Sequence, residues 1–295
     1  MKVKIIEKIC YFCGTNKGVR ISEDCPPLSL VEKTFRNYLI PSCNDCNGGL
    51  SLLDNISVNW LKAIIGTDDE KTTRLFNKQI RGEVPKLSVG VDDDFNAFPL
   101  IHVSSYAIQA WLLKLSLGLY VHIEKNPFKG TVAVLAADFP QLLTKDKTGC
   151  RKLMTTLDYV SLQWSDVETV NNQSFSMRYT KDKSENLIIW VGFYNSISAY
   201  FCFYDKLSQK DGDYLAEHGA TLWSAPYDPH LVRETVNKIL KDDEGLYLNE
   251  TSNIIHGFQN SKHKKLFYLN LQVLQKCAAD HGMNVRDFLE MQSNK

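Results

Sequence analysis

The sequence predicts an α+β protein: a small zinc-binding module at the N-terminus, then a larger mixed domain in which a buried helix packs on an antiparallel sheet, ending in helices. Three observations carry this expectation. Cysteines occur as two pairs, Cys10/Cys13 and Cys43/Cys46; a nearly unbroken apolar run covers Ala107–Val121; and three strand-like runs separated by short polar turns lie between Phe175 and Tyr204. The expected boundaries are a zinc-binding module over 1–66, a connector over 67–99 and an α+β domain over 100–295.

In the first pair, Cys10-Tyr11-Phe12-Cys13-Gly14, the glycine supplies the positive-φ turn that lets backbone N–H groups face the sulfurs. Beyond Cys43-Asn44-Asp45-Cys46 come Leu50, Leu53, Ile56, Val58, Leu61 and Ile64 at mixed helical spacings, so helical structure starts near Cys46 and runs, whole or broken, to about Ile65. Four thiolates suit a tetrahedral Zn²⁺ and leave no open position for a catalytic water, which makes the expected zinc site structural.

From Gly66 to Pro99 the chain turns polar and irregular, with Asp92-Asp93-Asp94 and several turn formers, and is expected to be a connector with one short helix near residues 70–80. Ser104 or Ser105 caps a helix from Tyr106 to about Tyr120. Gln109 and Lys114 interrupt that helix, and it is too short to cross roughly 30 Å of hydrocarbon, so it is expected in a protein core rather than a membrane. Phe175, Met177 and Tyr179 alternate with polar residues, Leu187–Phe193 is continuously apolar and Tyr200–Tyr204 is aromatic-rich; with turns at 181–186 and 195–198 this is an antiparallel meander. Helices are expected over Pro229–Lys241, Lys264–Asp280 and Val285–Gln292.

Lys and Arg balance Asp and Glu at 34 each, so no global field draws the protein to nucleic acid, and such contact must come from local basic surface. Two places offer it: Lys17 and Arg20 in the N-terminal module, and Lys264 and Lys265 beside Phe267 and Tyr268. The N-terminus carries Lys4, Glu7 and Lys8 where a signal peptide needs an apolar run, and eight cysteines without a secretion signal point to thiolate chemistry in the cytoplasm. Cys25, Cys150, Cys202 and Cys277 are expected as buried small residues, and His122 as a helix-end residue. Oligomeric state is left open.

The order of a CxxCG knuckle, then Ser22-Glu23-Asp24-Cys25-Pro26-Pro27, then Pro41-Ser42-Cys43-Asn44-Asp45-Cys46-Asn47 and a helix resembles the zinc-containing bacterial and phage members of the HNH endonuclease family, over about the first fifty-five residues. A fainter likeness extends through Lys114–His122 and the strands around Trp190–Tyr204. The resemblance implies a treble-clef finger, a metal-dependent endonuclease acting on nucleic acid (DNA ahead of RNA), Mg²⁺ or Mn²⁺ as catalytic cofactor, and a place in antiphage defence or a mobile element, with or without a companion protein. Glu23 matches the acidic metal ligand and Asn47 the ligand that begins the helix. Asp24 stands where the family has its catalytic histidine, and no histidine precedes His102. An aspartate, with a reference pKa near 3.9, is suited to holding a cation more than to activating water. Three readings of Glu23-Asp24 stay open: a remodelled Mg²⁺ site whose base is a metal-bound hydroxide or a histidine of the second domain, a degenerate nuclease whose finger only binds nucleic acid or a protein, and two solvated turn carboxylates.

Overall fold

The computed structural model describes residues 8–31, 38–54, 57–58, 61, 87–91, 97–101, 105–137, 147–160, 164, 168–170, 174–194, 197–241 and 279–283. Its elements, in chain order, are β1 (Arg20–Cys25), β2 (Tyr38–Ser42), α1 (Asn44–Asn47), β3 (Leu87–Val91), β4 (Ala97–Ile101), α2 (Ser105–Glu124), β5 (Thr131–Leu135), α3 (Lys147–Val160), β6 (Glu168–Val170), β7 (Phe175–Lys181), β8 (Leu187–Phe193), β9 (Ile197–Tyr204), α4 (Gln209–Glu217), β10 (Thr221–Ser224) and α5 (Pro229–Lys241). Helices combine with antiparallel sheets throughout, as the α+β expectation requires.

By contact the chain divides into two units, Met1–Val58 with Ser104–Asp242, and Asn59–Val103 with Asp243–Lys295. The cysteine-bearing segment thus shares a unit with the sheet. In the second unit β3 pairs antiparallel with β4, from Leu87↔Ile101 to Val91↔Ala97. A strand pair therefore begins inside the stretch expected as a connector and runs two residues past its expected end at 99. Leu87, Val89 and Val91 alternate with Ser88 and Gly90, the period-two signature of a strand, which the acidic triplet and prolines around it obscured. The helices expected near 70–80, 264–280 and 285–292 lie outside the described residues, apart from 279–280, which are helical.

The first unit is built on a six-stranded sheet in the order β10-β5-β9-β8-β7-β6, with every neighbouring pair antiparallel. The meander is present: Phe175 faces Phe193 across β7 and β8, and Ile188 faces Cys202 across β8 and β9. All of β8 is buried except Trp190, because both faces of the sheet are covered; a doubly covered strand shows a continuous apolar run instead of alternation. On one face Phe193 and Phe203 meet Trp111 and Tyr120 of α2, with ring centroids 5.6 and 4.8 Å apart. On the other, Ile188, Tyr200 and Cys202 form a cluster with Cys150 and Met154 of α3 and Leu215 of α4.

Helix α2 is apolar on every side because it is enclosed on every side, by the sheet and by the β1–β2 hairpin. Gly118 sets the closeness of that packing: a Cβ there would lie 2.7 Å from Cys25 Sγ and 2.9 Å from Ile40 Cδ1. Two buried polar residues interrupt the helix, and Ser116 is satisfied locally by donating to Leu113 O at 2.8 Å. Lys114 has no such local solution. Among the described residues, no helix is long and apolar enough to cross a membrane.

Near the C-terminal end of α2, His122 stacks on Tyr38 of β2, with ring centroids 3.4 Å apart and planes at 17°. Burial, with help from Lys125, pushes the imidazole down to about 4. Between pH 6.5 and 4 the unfolded chain therefore takes up a proton at this position that the folded chain refuses, so the contribution of His122 to stability falls as pH drops through that window. Discounted for partial exposure, the contribution is about 1 kcal/mol. His122→Phe keeps the stack and is expected to flatten the urea midpoint between pH 6.5 and 4; an unchanged slope would refute this assignment.

Candidate metal centre and acidic cleft

The knuckle is shaped by backbone hydrogen bonds. Gly14 N–H donates to Cys10 O at 3.1 Å, with Gly14 at φ +72°, and Cys10 N–H donates to Thr15 O at 2.8 Å. Tyr11 N–H donates to Pro41 O at 2.9 Å, which pins the knuckle to β2 one residue short of Ser42 and Cys43. Cys43 sits at the N-cap of α1, and Cys46 lies three residues on, on the same side of the helix. The four sulfurs of Cys10, Cys13, Cys43 and Cys46 consequently lie within 4.8 Å of one another, a group able to hold a metal ion.

The residues fit such an ion. Cys13 and Cys43 Sγ are 3.7 Å apart, against about 3.8 Å for the edge of a tetrahedron with metal–sulfur bonds of ~2.3 Å. Hydrogen bonding among the sulfurs pushes the Cys10 thiol far down, Cys13 being the largest cause. The bond to Cys10 pushes Cys13 up to about 12, and Cys46 is pushed further still. A divalent cation among the sulfurs would relieve this competition.

Beside this group lies a cleft of about 220 Å³ lined by Ser22, Glu23, Asp24, Pro27, Leu28, Ser29, Asn47, Ser51 and Asp54. Glu23 and Asp24 come from β1, Asn47 from the end of α1, and Asp54 from the helical turn at 51–54. The Asn47 amide donates to Ser22 Oγ at 2.9 Å and to Ser22 O at 3.3 Å, tying α1 to β1 across the cleft. Glu23, Asp24 and Asn47, drawn together in the sequence only through the resemblance, thus line one cleft.

Glu23 is buried, and its Oε1 pairs with Lys114 Nζ of α2 at 2.8 Å. The same ammonium binds Asp54 Oδ2 at very short range. The other oxygens of the two carboxylates, Glu23 Oε2 and Asp54 Oδ1, are buried and have no hydrogen-bond partner among the described residues. The Trp111 indole faces Asp54 and favours its anion without meeting hydrogen-bond geometry. Burial pushes Glu23 up to about 7 against the pull of Lys114, and raises Asp54 likewise. Burial works to lower Lys114, yet Asp54 and Glu23 outweigh it, so the ammonium stays charged.

The remaining candidates fall outside the cleft. Lys17 and Arg20 are exposed on the knuckle loop and the start of β1, and neither lines it. Lys264 and Lys265 lie outside the described residues. Cys25, Cys150 and Cys202 are buried, with Cys25 Sγ 3.8 Å from Leu115 O, as expected of packed small residues; Cys277 is outside the described residues. Among the described residues no histidine lines the cleft. His230 Nε2 comes within 3.7 Å of Asp45, but Asp45 and Asn47 are two positions apart and so about 200° apart around α1.

Two participants went unassigned in the sequence, Asp54 and Lys114. The signal for Lys114 was present, since a charge inside an otherwise apolar helix must be paired where it is buried. No family model, curated protein or solved structure matches the chain.

Proposed function

We propose that the N-terminal module is a zinc-holding treble-clef finger of HNH type, and that the chain is a metal-dependent endonuclease acting on nucleic acid, DNA ahead of RNA. Work in antiphage defence or within a mobile element fits that reading. The observation that carries it is the convergence of Glu23, Asp24 and Asn47 on one open cleft beside the four cysteines, with Asp54 added. The donor set supports it too: four cysteine sulfurs suit zinc, while carboxylate, amide and hydroxyl oxygens suit a harder cation such as Mg²⁺ or Mn²⁺.

Asp24, Asn47 and Asp54 would hold that cation, which when bound offsets the negative charge developing on a scissile phosphate. No basic side chain lines the cleft among the described residues, so its carboxylates repel a phosphodiester unless a cation lies between them. Ser22 fixes the Asn47 amide, and Lys17 and Arg20, exposed on the same module, would take up flanking phosphates in a way that carries no sequence readout. A second reading is favoured by Asp24 in the histidine position and by the absence of a described histidine in the cleft. In it the finger is catalytically degenerate and binds nucleic acid or a partner protein without cleaving.

One assay separates the two. Zinc-loaded protein is incubated with supercoiled plasmid, linear duplex, single-stranded DNA and RNA in Mg²⁺, Mn²⁺ or EDTA, beside Asp24→Ala/Asn47→Ala. Cleavage that requires the divalent ion and falls by about 100-fold or more in the variant is expected. Intact substrate with retarded mobility in every condition would replace the endonuclease with the binding protein.

A further inference from the structure

We infer that Lys114 is a positioning residue whose ammonium takes the place of a metal ion between Glu23 and Asp54, leaving the cleft one cation site rather than two. Where it concerns catalysis this rests on the endonuclease reading; the occupancy of the carboxylate pair stands on the geometry alone.

Three facts carry it. Lys114 Nζ bridges one oxygen of each carboxylate, Glu23 Oε1 and Asp54 Oδ2, as a shared cation would. The lysine side chain is 4% exposed and comes from a different part of the chain, from a helix that buries apolar residues on every side. Among the described residues this pair accounts for a charge there, because a buried ammonium without partners is strongly disfavoured. Finally, Glu23 Oε2 and Asp54 Oδ1 are buried and unpartnered among the described residues, so each carboxylate is engaged through one oxygen only.

Two consequences follow for the site. Glu23 is held by the chain's own cation and is not a ligand of a divalent ion in the native protein. Asp54, which also lines the outer site with Asp24 and Asn47, is oriented by Lys114 through Oδ2. The ammonium removes one negative charge from the cleft floor without closing the cleft, which tunes how much charge a divalent ion finds there.

The test is Lys114→Met, which keeps the aliphatic stem and removes the charge, with Lys114→Arg as the charged control. The protein is kept zinc-loaded, and Mn²⁺ is titrated at pH 8 by calorimetry and by electron paramagnetic resonance. Lys114→Met is expected to bind one more Mn²⁺ per chain than the wild type, and its thermal midpoint is expected to climb with the logarithm of Mn²⁺ concentration. Lys114→Arg is expected to match the wild type, and Glu23→Gln/Lys114→Met, with one carboxylate left in the pair, to lose the additional ion.

Equal Mn²⁺ stoichiometry and affinity in the wild type and Lys114→Met would overturn the assignment. So would a gain of Mn²⁺ by Lys114→Arg, retention of the extra ion by the double variant, or a Lys114→Met protein that stays unfolded with and without Mn²⁺. A wild type that binds no Mn²⁺ beside a Lys114→Met that binds one would sink the metal-dependent reaction and uphold the role of Lys114. A wild type that cleaves with Mg²⁺ beside a Lys114→Met with unchanged Mn²⁺ binding would do the reverse.

Discussion

Stripping the metal from the four cysteines with a strong chelator is expected to unfold the segment from Lys8 to Val58, the largest effect in this protein. Metal binding in comparable modules is worth on the order of 10 kcal/mol, and α1 is only four residues long. Tyr11 and Phe12 are almost wholly buried beside the knuckle, so near-ultraviolet circular dichroism should report the loss. The damage should spread, because Cys25 and Ile40 pack against Gly118 and cover one side of α2. Cys46→Ser is expected to reproduce it. The same thermal midpoint with and without metal would show that the sulfurs are merely close.

Asp54→Ala is expected to cost about 3–5 kcal/mol, because it leaves Lys114 buried with Glu23 as its one remaining partner among the described residues. Denaturant unfolding of the zinc-loaded protein measures it. Asp54→Ala/Lys114→Met should lose less than the sum of the two single changes, since the remaining Glu23 can take up a proton and become neutral. Strict additivity would mean that the two side chains do not share the interaction seen in the structure.

Much of the fold was legible because its signals are local. Gly14 with a positive φ, α5 from Pro229 to Lys241 and the β7–β8–β9 meander rest on spacing and turn chemistry that the chain carries in short windows. Strands β5 and β10 were not anticipated: β10 is four residues long and partly exposed, and it gains its partner only across the separation from Ser224 to Thr131. The β3–β4 pair was passed over because charge and proline outweighed a short alternating run.

The candidate site divides along the same line. Sequence by itself determined the cysteine tetrad, since CxxC spacing already places each pair of sulfurs within reach of one ion, and it brought Glu23, Asp24 and Asn47 forward through a resemblance. Only the tertiary structure decided that these three share a cleft with Asp54, and that Lys114, sixty residues beyond Asp54, offsets one of its negative charges. The physical reason is the range of the interactions. Knuckles and turns are settled by neighbours in the chain, whereas the partner of a buried charge is settled by whichever helix packs against it, and here Gly118 lets α2 come close enough to deliver the lysine.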